Sequence, residues 1–283
     1  MKIILLGSTG FLGKNLKSSL IIDHDLFSPS RNDFITLANN KLSLSDQLIQ
    51  KIQESDICIN CIADTNFISC KENKDKSIAN ILIPELVTKY LTKKSYVIHF
   101  SSDIFYENES NNSSEESALN LNNDYAVQKR AAEAIFLKKN SLILRTSFYG
   151  KNHRGIGLLN HIQNSINENR IMQGWGNVYS SSVHVTHIVQ LIKYLVSNID
   201  KKQLFGIYNY GTKESYSKYE YIKKVFEKFK LTNLLEYTEF VEAGILRNKN
   251  SGMSSSKIET DLNIKLPSLK SVIDNSINDI TIN

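Results

Sequence analysis

The chain has 283 residues, 41% hydrophobic and 22% charged, which is too long for a small disulfide- or zinc-stapled module and suits one large or two modest domains. That composition excludes extended disorder, collagen and a coiled-coil rod. The 34 Lys and Arg against 29 Asp and Glu give +5, spread along the chain without blocks of like charge. Such a balance argues weakly for nucleic acid and equally for a small anionic ligand.

In chain order, short apolar runs alternate with helix-length amphipathic segments. Strands are predicted at Lys2 to Leu6, Asp25 to Phe27, Asp56 to Cys61, Tyr96 to Phe100 and Leu142 to Leu144, with helices at Phe11 to Leu20, Ser45 to Glu54, Ser77 to Thr92 and Tyr125 to Lys138. Each helix is long enough to cross back over a parallel sheet. The fold class expected is therefore α/β, a Rossmann-type doubly wound parallel sheet. Glu107 to Asn123, rich in Asn, Ser and Glu, reads as a long surface loop.

After Gly150 the regular alternation ends. The organisation expected is a dinucleotide-binding domain over 1–150 and a smaller C-terminal substrate-binding lobe over 151–283, with about 186–208 packing back on the first. Helices are predicted at Gly157 to Asn167, Thr186 to Val196 and Lys218 to Phe229, with a final amphipathic segment from Leu269 to Ile280. Strand-like runs fall at Asn177 to Val183, Phe205 to Tyr208 and Leu234 to Phe240.

The strongest local signal is Gly7-Ser8-Thr9-Gly10-Phe11-Leu12-Gly13, directly after a strand and opening a helix. The first glycines let backbone N–H groups approach a pyrophosphate, Gly13 lets helix and strand pack closely, and the helix N-terminus favours the anion. Where NAD-binding folds place an acid at the end of the second strand, this chain has Ser28-Pro29-Ser30-Arg31. Ser30 and Arg31 suit a ribose 2′-phosphate, so NADPH is the cofactor expected, with NADH as the alternative.

Tyr125 and Lys129 stand four apart at the start of a predicted helix and share a face. A free phenol titrates near pH 10, so a tyrosine working near neutrality needs a lowering worth about 4 kcal/mol, part of it from a neighbouring cation. Ser101-Ser102-Asp103 follows a strand, where open α/β sheets place ligands. Cys58 and Cys61, three apart on a strand, point to opposite faces and read as core cysteines. Together with Cys70 they make an odd count, which predicts a reducing, cytoplasmic compartment. No apolar run approaches the roughly 20 residues of a bilayer span, so no membrane partner is expected. No metal site is predicted: His184 and His187 read as part of a strand-to-helix element, and Trp175 as a packing residue.

The glycine turn, the Ser101-Ser102-Asp103 strand end and Tyr125-Ala126-Val127-Gln128-Lys129 resemble the extended short-chain dehydrogenase/reductase family throughout the chain. Within it the chain is most similar to the dTDP-4-dehydrorhamnose reductases and related nucleotide-sugar 4-ketoreductases. The residues that carry this are His99 to Tyr106, Leu144 to Gly150, Asn60 to Ala63 and Arg247 to Lys257. The resemblance implies that Ser102 orients a keto oxygen, Tyr125 gives its proton, and Lys129 lowers the tyrosine pKa and holds the nicotinamide ribose. It places Gly7, Thr9, Gly10, Phe11, Leu12, Gly13, Cys61, Ile62 and Ala63 against the cofactor, and Asp103, Phe148 and Arg247 against the substrate. Phe148 replaces a Trp of the family's sugar pocket, and Asp103 is followed by Ile104 in place of the dehydratases' acid.

The function so implied is NADPH-dependent reduction at C4 of a nucleotide-diphospho 4-keto-6-deoxysugar, for surface polysaccharide synthesis. The alternatives are a nucleotide-sugar epimerase of the same fold and a non-catalytic regulatory subunit. The partner expected is the nucleotide-sugar substrate, with no nucleic acid; a homodimer is compatible with it.

Overall fold

The structure is a computed structural model that describes residues 1–36, 42–73, 77–241 and 248–281. In chain order it runs β1 (Lys2–Leu6), α1 (Phe11–Leu20), β2 (Asp25–Phe27), β3 (Phe34–Thr36), β4 (Leu42–Leu44), α2 (Asp46–Glu54), β5 (Ile57–Asn60), α3 (Phe67–Glu72), α4 (Ile83–Tyr90), β6 (Tyr96–Phe100), α5 (Asp124–Phe136) and β7 (Ser141–Thr146). Then come β8 (Phe148–Tyr149), α6 (Leu158–Asn167), β9 (Met172–Trp175), β10 (Tyr179–Ser180), β11 (Val183–His184), α7 (Val185–Ser197), β12 (Gly206–Tyr210) and β13 (Tyr216–Ser217). The chain closes with α8 (Lys218–Phe229), β14 (Leu235–Thr238), β15 (Asn250–Ser251), α9 (Ser256–Leu262) and α10 (Leu269–Asp279).

Two compact units emerge, each discontinuous in sequence. The first comprises Met1–Ser101, Leu121–Leu144 and Leu191–Ile207, and the second Ser102–Asn120, Arg145–Gln190 and Tyr208–Asn283. This division differs from one cut near Gly150. Ser102–Asn120 joins the second unit, and the returning segment is Leu191–Ile207.

The first unit is built on a six-stranded sheet of order β12-β7-β6-β5-β1-β2. Neighbours from β2 through β7 pair in parallel, with Ile3 beside both Leu26 and Ile57. β5, β6 and β7 are buried at every position, as expected of strands covered on both faces. The core gathers Ile4, Leu6, Leu48, Ile52, Val87, Val97 and Ile143. From β1 the chain first moves to β2 at one edge and then returns to β5 on β1's other side. The strand order therefore switches between β1 and β5, and a ligand crevice opens outside the carboxyl ends at such a point.

The helix expected over Ser77 to Thr92 opens instead with a π-helical turn, Ile78–Leu82, before α4. That turn buries Asn80, which bonds the backbone N–H and C=O of Asp64 at 3.0 and 2.9 Å and Gln128 of α5 at 2.9 Å. Periodicity cannot show a turn whose purpose is to aim one polar side chain. The β3–β4 pairing was also not anticipated; it is three residues long in each strand, and its connection lies outside the described residues.

The second unit packs α6, α8 and α10 around Ile162, Tyr221, Ile222, Phe226, Val272 and Ile273. Its strands are mostly two residues long, too short to leave an alternating pattern. The loop expected at Glu107 to Asn123 is irregular, yet it is more firmly anchored than an ordinary surface loop. Within this unit Tyr106 Oη donates to Asn209 Oδ1 at 2.9 Å, Asn209 Nδ2 donates to the Ser113 and Ser254 carbonyls, and Asn209 N–H donates to Glu115. Asn209 is fully buried. Its truncation leaves several buried polar groups unpaired, so Asn209→Ala should lower the unfolding free energy by about 2–4 kcal/mol in urea titration; a loss under about 0.5 kcal/mol would mean that the loop is not anchored there.

Candidate active site

The switch point is occupied by the glycine turn itself. Gly7 has φ of +81°, and a Cβ on it would come within 2.9 Å of the Cys61 carbonyl carbon and the Ile62 nitrogen. A Cβ on Gly13 would fall 2.1 Å from the Gly7 carbonyl oxygen. Both glycines are thus required by close backbone approach, one to β5's exit and one to the turn. Gly10 N–H donates to Gly7 O at 3.0 Å and closes the turn. Helix α1 starts at Phe11 without a side-chain cap and without an acid in its first turn, so its positive end is not neutralised by its own residues. Thr9 is exposed on the turn, Phe11 is half-buried, and Leu12 and Gly13 are buried beneath it.

On the facing side, Asn60 ends β5 and fixes the path of the chain at its exit. Its Oδ1 accepts the Ile62 N–H at 3.1 Å, which turns its Nδ2 to His99 Nδ1 at 3.0 Å. Cys61 and Ile62 are half-buried and Ala63 is exposed. Burial holds the Cys58 thiol at about 12 and raises that of Cys61 as well, so both are thiols at neutral pH.

Beyond β2, Ser28 Oγ is buried and makes no hydrogen bond. Ser30 caps a short 3-10 turn at Arg31–Asp33. Its N–H and hydroxyl both donate to Asp33 Oδ2, at 2.8 and 2.9 Å, and Ser45 donates to Oδ1 at 2.8 Å. Although burial opposes it, these bonds hold the Asp33 carboxyl below its ordinary value. The acid nearest to β2's end is therefore engaged inside its own loop, while Arg31 is exposed beside it. Ser30 is correspondingly committed to Asp33.

Asn123 caps α5 by accepting the Ala126 N–H at 2.9 Å. Tyr125 and Lys129 are both buried on this helix. The Tyr125 ring packs 5.4 Å from that of Phe67, and Lys129 Nζ donates to the Phe100 carbonyl at 2.7 Å. Burial pushes the Lys129 ammonium down to about 8, against the opposing fields of Glu133 and Cys61. It is thus cationic at neutral pH and loses its proton just above.

Ser102 and Asp103 open the second unit. Ser102 Oγ accepts the Ile104 N–H at 3.2 Å and lies 3.4 Å from Asp103 Oδ1. Burial pushes the Asp103 carboxyl up to about 6, against hydrogen bonds from Ser102 and Ser251 and the field of Lys218. In the same unit Phe148 is half-buried on β8, which pairs in parallel with β11. Arg247 lies outside the described residues.

The remaining candidates are accounted for by packing. His184 Nε2 contacts Asp279 at 3.0 Å, and His187 accepts the His184 N–H. Among the described residues no group of three His, Cys, Asp or Glu is placed to hold a metal, and no helix is long and apolar enough to cross a membrane. Trp175 packs 4.8 Å from Phe240, with Lys218 Nζ 4.6 Å over its ring. Glu133 is a residue that sequence reasoning missed. It is fully buried and accepts from Ser101, and the available signal was an acid four residues past Lys129, on the face that carries Tyr125.

A glycine turn fixed by close backbone approach, a switch point beside it and a buried Tyr/Lys helix in one unit fit an NAD(P)-dependent oxidoreductase of the extended short-chain dehydrogenase/reductase class. A family model described as RmlD substrate binding domain matches residues 1–282, and the chain belongs to that family. Among solved structures it is similar to a dTDP-4-dehydrorhamnose reductase from Bacillus anthracis str. Ames in complex with NADP, at 21% identity and a TM-score of 0.82 over 98% of this chain and 99% of that one. It is also similar to a hypothetical dTDP-4-dehydrorhamnose reductase from Sulfolobus tokodaii, at 24% identity and a TM-score of 0.77 over 96% and 99%. A UDP-glucuronic acid 4-epimerase from Bacillus cereus in complex with NAD matches at 17% and 0.75 over 99% and 96%. No match was found among the curated proteins. These likenesses confirm the Rossmann-type fold.

The raised Asp103 carboxyl has a stability consequence. Its folded value of about 6 stands above the ordinary 3.8, so its charge destabilises the fold increasingly as pH rises from about 4 to 6, and fully above that. Asp103→Asn should therefore raise unfolding free energy by about 1–3 kcal/mol at pH 8, with the gain shrinking below pH 6. A gain that is equal at pH 4 and pH 8 would contradict the assignment.

Proposed function

We propose that the chain is an NADPH-dependent reductase of the C4 keto group of a nucleotide-diphospho 4-keto-6-deoxysugar. The observation that carries this reading is α5, which buries Tyr125 and a cationic Lys129 on one face within the unit that holds the glycine turn. Membership of the RmlD substrate binding domain family supports a nucleotide sugar as substrate.

A bound nicotinamide dinucleotide supplies the hydride. The glycines set the tight turn that brings the start of α1 to the carboxyl end of β1, and that uncapped start offers the pyrophosphate the positive end of a helix dipole. The orphaned Ser28 hydroxyl and exposed Arg31 offer a donor and a cation for a 2′-phosphate, while Asp33, held by Ser30 and Ser45, is not presented to a ribose hydroxyl. This favours NADPH over NADH, as does the NADP complex of the B. anthracis relative.

Tyr125 donates the proton to the keto oxygen as the hydride arrives. Lys129 supplies the cation that stabilises the phenolate left behind, and the family resemblance gives the Ser102 hydroxyl the role of orienting the carbonyl. Proton donation of this kind contributes about 10²- to 10⁴-fold. The epimerase alternative has weaker support here, since the acid nearest to β2's end is already engaged.

The reading is tested by following NADPH absorbance with a panel of 4-keto-6-deoxy sugar nucleotides. Oxidation with at least one is expected, and Tyr125→Phe should remove turnover while NADPH affinity stays within a few-fold. Because Lys129 must carry its proton, kcat should fall as pH rises through about 8. Protein that binds NADPH but oxidises it with none of the panel would overturn the reading.

A further inference from the structure

Glu133 sits one helical turn past Lys129 on α5 and is completely buried. Ser101 Oγ donates to its Oε1 at 2.7 Å, and Arg130, about a third exposed, donates to its Oε2 at 3.2 Å. Lys129 in turn donates to the carbonyl of Phe100, the residue before Ser101. Two consecutive residues at the carboxyl end of β6 are thus each gripped by a charged side chain of α5, and the next residue along the chain is Ser102.

Burying a carboxylate is costly, and an apolar side chain of similar volume commonly serves packing as well or better. The charge of Glu133 has a recipient here. The groups acting on Lys129 are Glu133 from its own helix, which also pairs with Arg130, and Cys61 from β5's exit, while Lys129 itself acts on His99 of β6. His99 is held neutral by burial and by Lys129 itself, and Cys61 is held as a thiol by burial. Glu133, one turn along the same buried helix face, is then the anion whose field favours the charged form of Lys129.

We propose that Glu133 is a positioning residue that fixes Ser101 at the end of β6 and, by its charge, holds Lys129 as a cation. For turnover this rests on the reductase reading; for the state of Lys129 it does not. A role in packing alone would lower the melting temperature of a variant and scale its rate equally at every pH.

The test is a lysine-selective 13C NMR titration of Lys129, assigned by Lys129→Met, alongside kcat against pH. In the wild type the Lys129 midpoint should fall near 8. Glu133→Gln keeps the side-chain volume and an acceptor for Ser101 but loses the charge, so the midpoint should drop by about one pH unit. Its kcat should then be down about fivefold at pH 8 and little changed at pH 6. Ser101→Ala leaves the charge in place, so its midpoint should stay near 8 while kcat falls several-fold at every pH. A wild-type midpoint in Glu133→Gln overturns the proposal. Should that variant not fold, unchanged kcat in Ser101→Ala overturns it as well. A lowered midpoint without turnover on any sugar nucleotide would support the coupling of Glu133 to Lys129 and remove the reductase reading instead.

Discussion

The first unit depends on one close approach of backbone to backbone. The Gly7 turn presses so near the Cys61–Ile62 peptide that a single methyl group would clash. The approach is possible because β1 and β5 are neighbours in parallel register, with Leu6 beside Asn60, and because residue 7 adopts a positive φ that glycine bears without strain. Gly13 repeats the constraint one layer down, letting α1 settle onto the Gly7 carbonyl. The opposite wall is set by Asn60, whose amide spans the Ile62 N–H and the ring of His99.

Within each unit charge is placed with little to spare. Lys129 is brought down to about 8 by burial and kept cationic at neutrality by its neighbours. In the second unit, burial brings Asp103 up to about 6. The two groups are displaced from their ordinary ranges towards one another, so both hold their charge between about pH 6 and 8. Shifts of this size are costly to stability and are common where a site needs particular protonation states.

Much of the first unit could be read from residue order. The ends of β1, β2, β6 and α1 match expectation because each is bounded by a strong local signal, such as the glycine turn after Leu6. In the second unit α8 was equally legible, since Ser217 and Glu220 form a capping box. What periodicity does not carry was lost. The two-residue strands β8, β13 and β15 depend on partners distant in sequence, the π-turn at Ile78–Leu82 serves one side chain, and Ser102–Asn120 joins its unit through Asn209 about a hundred residues away. The candidate site was legible where it is made of motifs, at Gly7 to Gly13 and at Tyr125 and Lys129. Glu133 was not, because a lone acid among the polar residues of an amphipathic helix looks the same whether it faces solvent or the core.

The central proposal is that a phosphorylated dinucleotide binds across the carboxyl ends of β1 and β5, over the Gly7 turn and the Cys61–Ile62 peptide that it packs against. Hydrogen–deuterium exchange with and without saturating NADP+ tests it without need of a sugar substrate. Protection concentrated in the peptides spanning Gly7 to Gly13 and Cys61 to Ala63 is the result predicted. Binding at saturation with exchange unchanged in both segments would contradict it.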